Sequence, residues 1–161
     1  MRPFRILFVC HGNICRSPMA EFVMGEMVRQ AGLEDSFEIA SAATTTDEIW
    51  GDVGNPVYPP AKEELARHGI TRGVKDKRAR LLVSADYNRY DLLVGMDSAN
   101  IRSMQRILGG DPEGKIVKLL DYAGGGDVAD PWYTRRFDVT YRDVDRGCRA
   151  LLQHLRQLLG I

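Results

Sequence analysis

The residues best suited to chemistry lie in one short run near the start of the chain, Cys10-His11-Gly12-Asn13-Ile14-Cys15-Arg16-Ser17. A cysteine thiolate is a strong nucleophile. Five residues separate Cys10 from Arg16, whose planar guanidinium matches two phosphoryl oxygens at once. A loop that brings these two side chains together would suit attack on a phosphate ester.

The segments on either side of this run explain how it would be positioned. Residues 4–9 are continuously apolar except for Arg5 and are typical of a buried strand, whereas Pro18-Met19-Ala20-Glu21 is typical of a first helical turn. A strand, a tight loop and a helix aim backbone N–H groups and the positive end of the helix dipole at an anion. The run is therefore predicted to be a phosphate-binding loop.

Several loop residues have a specific conformational reason to be there. Gly12 is expected to adopt a conformation closed to residues with a Cβ atom, and Asn13 tolerates left-handed dihedrals. Ser17 is expected to be the N-cap of the helix, with Pro18 at the first helical position. These surroundings favour the thiolate form of Cys10.

Strand-like and helical segments alternate along the whole chain, which predicts an α/β fold with a parallel sheet between layers of helices. Ser98 is expected to cap a helix that ends at Leu108, and Cys148 to lie in the core on the apolar face of the last helix. The predicted strands span residues 4–9, 37–41, 91–96 and 116–120, and the predicted helices span residues 18–30, 60–68, 98–108 and those from about 137 onward. We expect one domain over residues 1–161.

Composition excludes several classes of function. The 161 residues carry 22 basic and 22 acidic side chains, so no net charge favours nucleic acid or an anionic membrane. No apolar run is long enough to span a bilayer or to act as a signal peptide, which predicts a cytoplasmic location. The three histidines have no metal-ligand spacing, so we expect neither a metal nor another cofactor.

Displacement of a phenol from phosphate requires a general acid, and the long loop over residues 120–136 offers candidates. Asp130 is followed by Pro131, which stiffens the backbone. Asp121, Asp127 and Asp138 lie in or beside the same loop, and the residues alone do not decide between the four. This loop and the one over residues 42–59 both follow predicted strands, so both are expected to overhang Cys10.

Three aromatic residues, Trp50, Trp132 and Tyr133, are expected to form the rim of the pocket, where they would contact a phenyl ring.

The segment Val9–Glu21 resembles the signature of the low-molecular-weight protein tyrosine phosphatases. The resemblance extends over nearly the whole chain, since further matches follow in the family's order: Ser41-Ala42, His68-Gly69-Ile70, Met96-Asp97-Ser98-Ala99-Asn100 and Asp130-Pro131-Trp132-Tyr133. It implies a three-layer sandwich with a four-stranded parallel sheet and flavodoxin-like topology.

The resemblance also implies the activity and the roles of the residues. Cys10 would form a phosphocysteine, Arg16 and the loop residues 11–15 and 17 would bind the phosphoryl oxygens, and Asp130 would be the general acid and base. The substrates would be phosphotyrosine-containing proteins, with inorganic phosphate as product and inhibitor. The protein would be a monomer or associate weakly.

Two further expectations come from the resemblance. Asn13, Ser17 and His68 would form a hydrogen-bonded network that holds the loop open, although His68 alone is equally typical of a cation at a helix C-terminus. Cys10 and Cys15 would form a reversible disulfide that protects the nucleophile from irreversible oxidation.

The chain departs from the commonest family pattern at two places, both at the expected rim. The segment over residues 47–60 is longer than usual, and Thr134-Arg135-Arg136 replaces the Gly-Asp that often precedes Phe137. These differences concern the choice of substrate and not the chemistry.

Other functions remain possible for this scaffold. A protein-arginine phosphatase is similar but has threonine where this chain has Ile14. Arsenate reductases require two more cysteines in a mobile segment, and sugar-phosphotransferase carriers generally lack the arginine. A phosphotyrosine reader without activity and a thiol redox sensor that uses Cys10 and Cys15 are the alternatives from a different class.

Overall fold

A computed structural model describes residues 2–161, and its centre is a sheet of four parallel strands. The strands are β1 (Phe4–Cys10), β2 (Phe37–Ala43), β3 (Ile49–Trp50), β4 (Val53–Gly54), β5 (Leu92–Gly95) and β6 (Ile116–Lys118). The parallel sheet has the order β2-β1-β5-β6, and β3 and β4 form a separate antiparallel hairpin. The expected four-stranded parallel sheet is confirmed.

Helices cover both faces of the sheet, as the three-layer prediction requires. On one face α1 packs against β1 and β2 and α6 packs against α1, and on the other face α4 packs against β5 and β6. The helices are α1 (Arg16–Gln30), α2 (Pro59–Arg67), α3 (Asp86–Arg89), α4 (Ser98–Leu108), α5 (Pro131–Thr134) and α6 (Phe137–Leu159).

The central strand β1 is apolar from Ile6 to Val9 because both of its faces are buried there. Ile6 and Phe8 belong to the cluster that includes α1 and α6, whereas Leu7 and Val9 belong to the cluster on the α4 side. The last residue of the strand, Cys10, pairs with Ala43 of β2. Cys10 therefore lies at the carboxyl edge of the sheet, where the loops after the four strands converge.

Some element boundaries differ from the sequence predictions. The N-cap of α4 is Asp97 and not Ser98, because Asp97 Oδ1 accepts from Asn100 N at 2.7 Å while Asn100 Oδ1 accepts from Asp97 N at 3.1 Å. The last strand ends at Lys118 and continues as a 3-10 turn, Leu119–Ala123. The two long loops contain short elements of their own, the β3–β4 hairpin and α5.

None of the helices within residues 2–161 combines the length and the apolar character that crossing a bilayer demands.

Two glycines inside helices offer a matched test of how tightly α6 packs. Replacing a helical glycine by alanine normally stabilises a protein by about 0.5–1 kcal/mol. A Cβ atom on Gly25 of α1 would meet nothing within 4 Å, whereas one on Gly147 of α6 would lie 2.5 Å from Cγ of the buried Leu119. Because overpacking costs about 1–3 kcal/mol, Gly147→Ala should lower the free energy of unfolding by about 1 kcal/mol, and Gly25→Ala should raise it. Urea unfolding measures both changes, and equal effects of the two substitutions would contradict the tight contact.

Candidate active site

Residues 11–15 connect β1 to α1 as a series of bends without regular structure. The helix begins at Arg16, and its N-cap, Cys15, makes no side-chain capping bond. Within residues 2–161, no acceptor takes the backbone N–H groups of Ile14, Cys15 or Arg16. These groups, at the positive end of α1, are therefore free to bind an anion.

The loop backbone is turned at Asn13, whose φ of 61° lies in the left-handed region. Gly12 does not adopt a positive φ, so the prediction for its backbone was wrong. A Cβ atom on Gly12 would lie 3.2 Å from Cγ of Glu48, so a larger residue here would require the Glu48 side chain to shift.

Two donors point at the sulfur atom of Cys10, which is almost entirely buried. Cys10 Sγ lies 3.0 Å from Ser17 Oγ, and Asn13 N donates to it at 3.3 Å. Donors on the sulfur stabilise the thiolate relative to the thiol.

The direction of these bonds follows from the donors around Asn13. Its Oδ1 accepts from the backbone N–H of Arg80 at 3.1 Å, which fixes the orientation of the amide. The Nδ2 group therefore donates, to Ser17 Oγ at 2.8 Å and to Ser41 Oγ at 2.9 Å. Because Ser17 Oγ accepts from Asn13, its own hydrogen is free for Cys10.

This geometry corrects the role predicted for Ser17. The residue is not the N-cap but lies inside the first turn of α1, fully buried. Its hydroxyl group is directed at the sulfur and not at the backbone N–H groups of the helix.

The predicted network of Asn13, Ser17 and His68 is formed by the first two residues only. His68 is the C-cap of α2, and its Nε2 lies 2.9 Å from Glu64 Oε2. The imidazole ring stacks on Tyr141 of α6 with ring centroids 3.7 Å apart. Since α2 directs His68 toward α6, the prediction for His68 was wrong, and Ser41 of β2 is the third hydrogen-bonded residue.

Arg16 is held from behind by two acceptors. Its Nη1 donates to Asp97 Oδ2 at 2.7 Å and to the carbonyl oxygen of Val128 at 3.2 Å, and its side chain is only 5% exposed. Burial by itself would lower the pKa of Arg16. The negative charges of Cys10, Asp97 and Asp130 outweigh burial and raise this pKa above its usual value, so the guanidinium stays charged.

Asp130 is the aspartate of its loop that faces Arg16. Its Oδ2 lies 3.4 Å from Arg16 Nη2, and its Oδ1 accepts from Trp132 N at 3.0 Å as the N-cap of α5. Asp127 instead pairs with Lys118 at 3.0 Å, and Asp138 pairs with Arg136 at 2.9 Å. Of the four aspartates that the sequence left open as the general acid, Asp127 and Asp138 are thus paired with cations away from Arg16, whereas Asp130 is next to it.

The second cysteine of the loop differs from the first in its environment. Burial, reinforced by the Cys10 thiolate and by Asp130, raises the pKa of Cys15 to about 12. Cys15 is consequently a neutral thiol at neutral pH, and a neutral thiol is a poor nucleophile.

Three exposed aromatic residues lie on the β3–β4 hairpin and on α5. Trp50 of the β3–β4 hairpin is 73% exposed, and Trp132 and Tyr133 of α5 are 76% and 81% exposed. The hairpin segment is tied to the phosphate-binding loop through His11, whose Nε2 lies 2.6 Å from Asp47 Oδ2. The rim role of the three aromatic residues stays a prediction.

Sequence reasoning missed two residues that position the site, Ser41 and Asp97. Both follow or end a buried strand, and both lie in segments that match the family pattern, which was the only available signal. In the described part of the chain, no group of three or more His, Cys, Asp or Glu residues is arranged to hold a metal ion.

Comparisons with known proteins agree on one family. A family model described as low molecular weight phosphotyrosine protein phosphatase matches residues 5–159. The low molecular weight protein-tyrosine-phosphatase YfkJ of Bacillus subtilis is 35% identical over 156 residues, which cover 94% of this chain and 96% of that relative. Its crystal structure matches with a TM-score of 0.88 and 34% identity over 98% of this chain and 97% of the other. The structure of a drosophila arginine phosphatase, DARP, matches with a TM-score of 0.81 and 25% identity over 94% of this chain and 97% of the other.

Two substitutions of Asn13 separate its backbone conformation from its side-chain bonds. Asn13→Gly keeps the left-handed backbone but removes the bonds to Ser17 and Ser41, so alkylation of Cys10 by iodoacetamide at neutral pH should slow about tenfold. Asn13→Ala should slow it similarly and should also lower the free energy of unfolding by about 1–2 kcal/mol more, because alanine is strained at positive φ. Mass spectrometry of the Cys10 peptide and urea unfolding measure the two effects. An alkylation rate in Asn13→Gly equal to that of the wild type would show that the amide does not act on the sulfur.

Proposed function

The chain belongs to the low molecular weight phosphotyrosine protein phosphatase family, and on that premise we propose that it removes the phosphoryl group of phosphotyrosine in proteins by transferring it to Cys10. One observation carries the proposal: a buried sulfur that accepts hydrogen bonds from Ser17 and Asn13 lies in the same loop as unpaired backbone N–H groups and the guanidinium of Arg16. This arrangement can bind an oxyanion and attack it.

In the first step, the Cys10 thiolate attacks phosphorus in line with the bond to the tyrosine oxygen. The S–P bond forms as the P–O bond breaks, and its electron pair leaves with the phenol oxygen. Charge spreads over the three non-bridging oxygens, and the free N–H groups of the loop and Arg16 stabilise it.

Asp130 supports both steps by moving one proton. In its acid form it protonates the leaving phenol oxygen, because a bare phenolate leaves poorly. The resulting carboxylate then takes a proton from the water that attacks phosphocysteine. Phosphate is released, and it competes with substrate for the same loop.

Asp97 and Val128 supply the orientation that Arg16 requires. Their oxygen atoms accept from Nη1 of the guanidinium from behind, and the other edge, where Nη2 lies 3.4 Å from Asp130 Oδ2, would turn to the phosphoryl oxygens. A fixed planar donor contributes more than a mobile one because less conformational entropy is lost on binding.

A protein-arginine phosphatase is the second candidate, because the structure of DARP matches this fold closely. Ile14 favours tyrosine over arginine: a branched apolar side chain suits a phenyl ring, whereas a phosphoguanidinium would lose hydrogen bonds beside it. The exposed Trp50, Trp132 and Tyr133 offer apolar area to a ring for the same reason.

The proposal is tested by hydrolysis of matched phosphotyrosine and phosphoarginine peptides by the wild-type protein and by Cys10→Ser. We expect the wild type to prefer phosphotyrosine by at least tenfold in kcat/KM. Cys10→Ser should hydrolyse neither peptide and should still bind vanadate, because the loop N–H groups and Arg16 remain. Turnover by Cys10→Ser would contradict the covalent step, and preference for phosphoarginine would favour the second candidate.

Leaving-group dependence tests the role of Asp130. Asp130→Asn should slow hydrolysis of phosphotyrosine by about 10²-fold or more, and it should slow hydrolysis of para-nitrophenyl phosphate much less, since nitrophenolate leaves without a proton. Asp127→Asn, in the same loop but paired with Lys118, is the matched control and should leave both rates near those of the wild type. Equal losses for both substrates in Asp130→Asn would mean that Asp130 only caps α5.

A further inference from the structure

A groove of about 740 Å³ lies between α2 and α6, next to the phosphate-binding loop. Tyr58 connects the loop to the groove. Its backbone N–H donates to the carbonyl oxygen of Ile14 at 2.9 Å, and its ring centroid lies 6.1 Å from that of Phe137, which lines the groove. Arg135, at the C-terminal end of α5, lines the groove as well. The proposed mechanism uses none of these side chains.

Arg135 has an unusual backbone conformation. Its φ of 59° lies in the left-handed region, where Asn13 is the only other non-glycine residue within residues 2–161. This conformation is unfavourable for a residue with a Cβ atom, and glycine is the usual choice at such a helix end. The N–H of Arg135 still donates to the Pro131 oxygen at 2.9 Å and closes α5. An arginine here costs stability that a glycine would not, and strain of this kind clusters at functional sites.

Most of the acidic side chains in the groove already have a cation of their own. Three of the four form ion pairs of 2.8 to 3.0 Å with arginines: Glu64 with Arg67, Asp138 with Arg136 and Asp145 with Arg149. The fourth, Glu63, lies on α2. The acidic groups on the α6 side are therefore neutralised within the protein.

Two exposed arginines of the lining, Arg135 and Arg142, make no ion pair with any residue from 2 to 161. Arg142 belongs to α6 and Arg135 precedes this helix, so both lie on the side where the carboxylates are neutralised. This side of the groove consequently presents positive charge without a counter-charge. A free guanidinium matches a carboxylate through two parallel hydrogen bonds.

Arg135 also lies close to the place where the tyrosine of a substrate would leave. Asp130 and Arg135 are the N-cap and the C-cap of the same helix, α5, so their Cα atoms are roughly 8 Å apart along its axis. An extended peptide advances about 3.3 Å per residue. A residue two or three positions from a phosphotyrosine whose phenol oxygen lies at Asp130 would therefore come within reach of the Arg135 side chain.

We propose that Arg135, assisted by Arg142, is a specificity-determining residue that binds a carboxylate of the substrate protein. The groove receives the chain beside the phosphotyrosine, and an aspartate or glutamate two or three residues away pairs with Arg135. The partner is thus a phosphotyrosine protein with an acidic flank. The inference deepens the proposed function and rests on it for the effect on turnover, whereas binding of a phosphopeptide reports on Arg135 without turnover.

The test compares phosphotyrosine peptides that differ only by glutamate or glutamine at the second and third positions on either side. The wild type should favour the glutamate peptide by about two- to fivefold in kcat/KM, which is the scale of an exposed ion pair. The difference should lie in KM, since the contact is the same in the ground state and the transition state, and it should shrink in about 0.5 M salt. Arg135→Asn, which suits a left-handed backbone, should abolish the preference.

Three further variants separate recognition from a structural role. Arg102→Gln removes an exposed arginine of α4, on the other face of the sheet, and should keep the preference. Arg135→Gly should abolish the preference without lowering the unfolding midpoint, because glycine relieves the strain. Arg142→Gln should weaken the preference, and it carries the test if neither variant of Arg135 folds. A merely structural Arg135 would change the KM of both peptides equally.

Binding of the same peptides to Cys10→Ser, measured by fluorescence anisotropy, separates the inference from the proposed function. Tighter binding of the glutamate peptide that Arg135→Asn removes, in a protein whose wild type does not hydrolyse phosphotyrosine, would sink the hydrolysis and leave the recognition of charge standing. Equal binding and equal kcat/KM for the two peptides overturn the inference, and so does a preference that Arg135→Asn retains.

Discussion

The loop over residues 11–15 holds its shape although the N–H groups of Ile14, Cys15 and Arg16 at its end have no acceptor within residues 2–161. A short loop normally satisfies such groups by closing on itself. Here side chains fix the conformation instead. Asn13 does most of this, because it turns the backbone through a positive φ and binds three partners on β2, α1 and the segment after α2. Much of the polar structure around the sheet edge follows from this requirement.

The charges around Arg16 also shape this loop. Arg16 is surrounded by Cys10, Asp97 and Asp130, so a site designed for an anion already contains three acidic groups. Their roles are separated by position. Asp97 lies behind the guanidinium and its side chain is 19% exposed, whereas Asp130 lies at the other edge and is 31% exposed. Arg16 thus has one counter-charge on the inner side of the site and one on the outer side.

The sequence predicted the sheet and its strands because these depend on local pattern. Continuous apolar runs are typical of parallel strands. The run from Cys10 to Arg16 lies between such a strand and a predicted helix start. The predictions that were wrong concern residues whose roles depend on contacts between distant segments. Ser17 looked like an N-cap because serine before proline usually is one, and only the position of Asn13 and Cys10 shows where its hydroxyl points. His68 was assigned from family order alone, but the direction of α2 decides its neighbours, Glu64 and Tyr141. Ser41 and Asp97 are remote from the loop in sequence, so no periodicity could connect them to it.

The position of Asp130 beside Arg16 has a consequence for the start of the proposed cycle. Asp130 Oδ2 lies 3.4 Å from Arg16 Nη2, at the same guanidinium edge that the proposal assigns to the phosphoryl oxygens. The proposed acid and the proposed anion-binding group are therefore already in contact when no anion is bound. A phosphoryl group that entered the loop would have to share or displace this contact, which would bring the leaving oxygen next to the group proposed to protonate it.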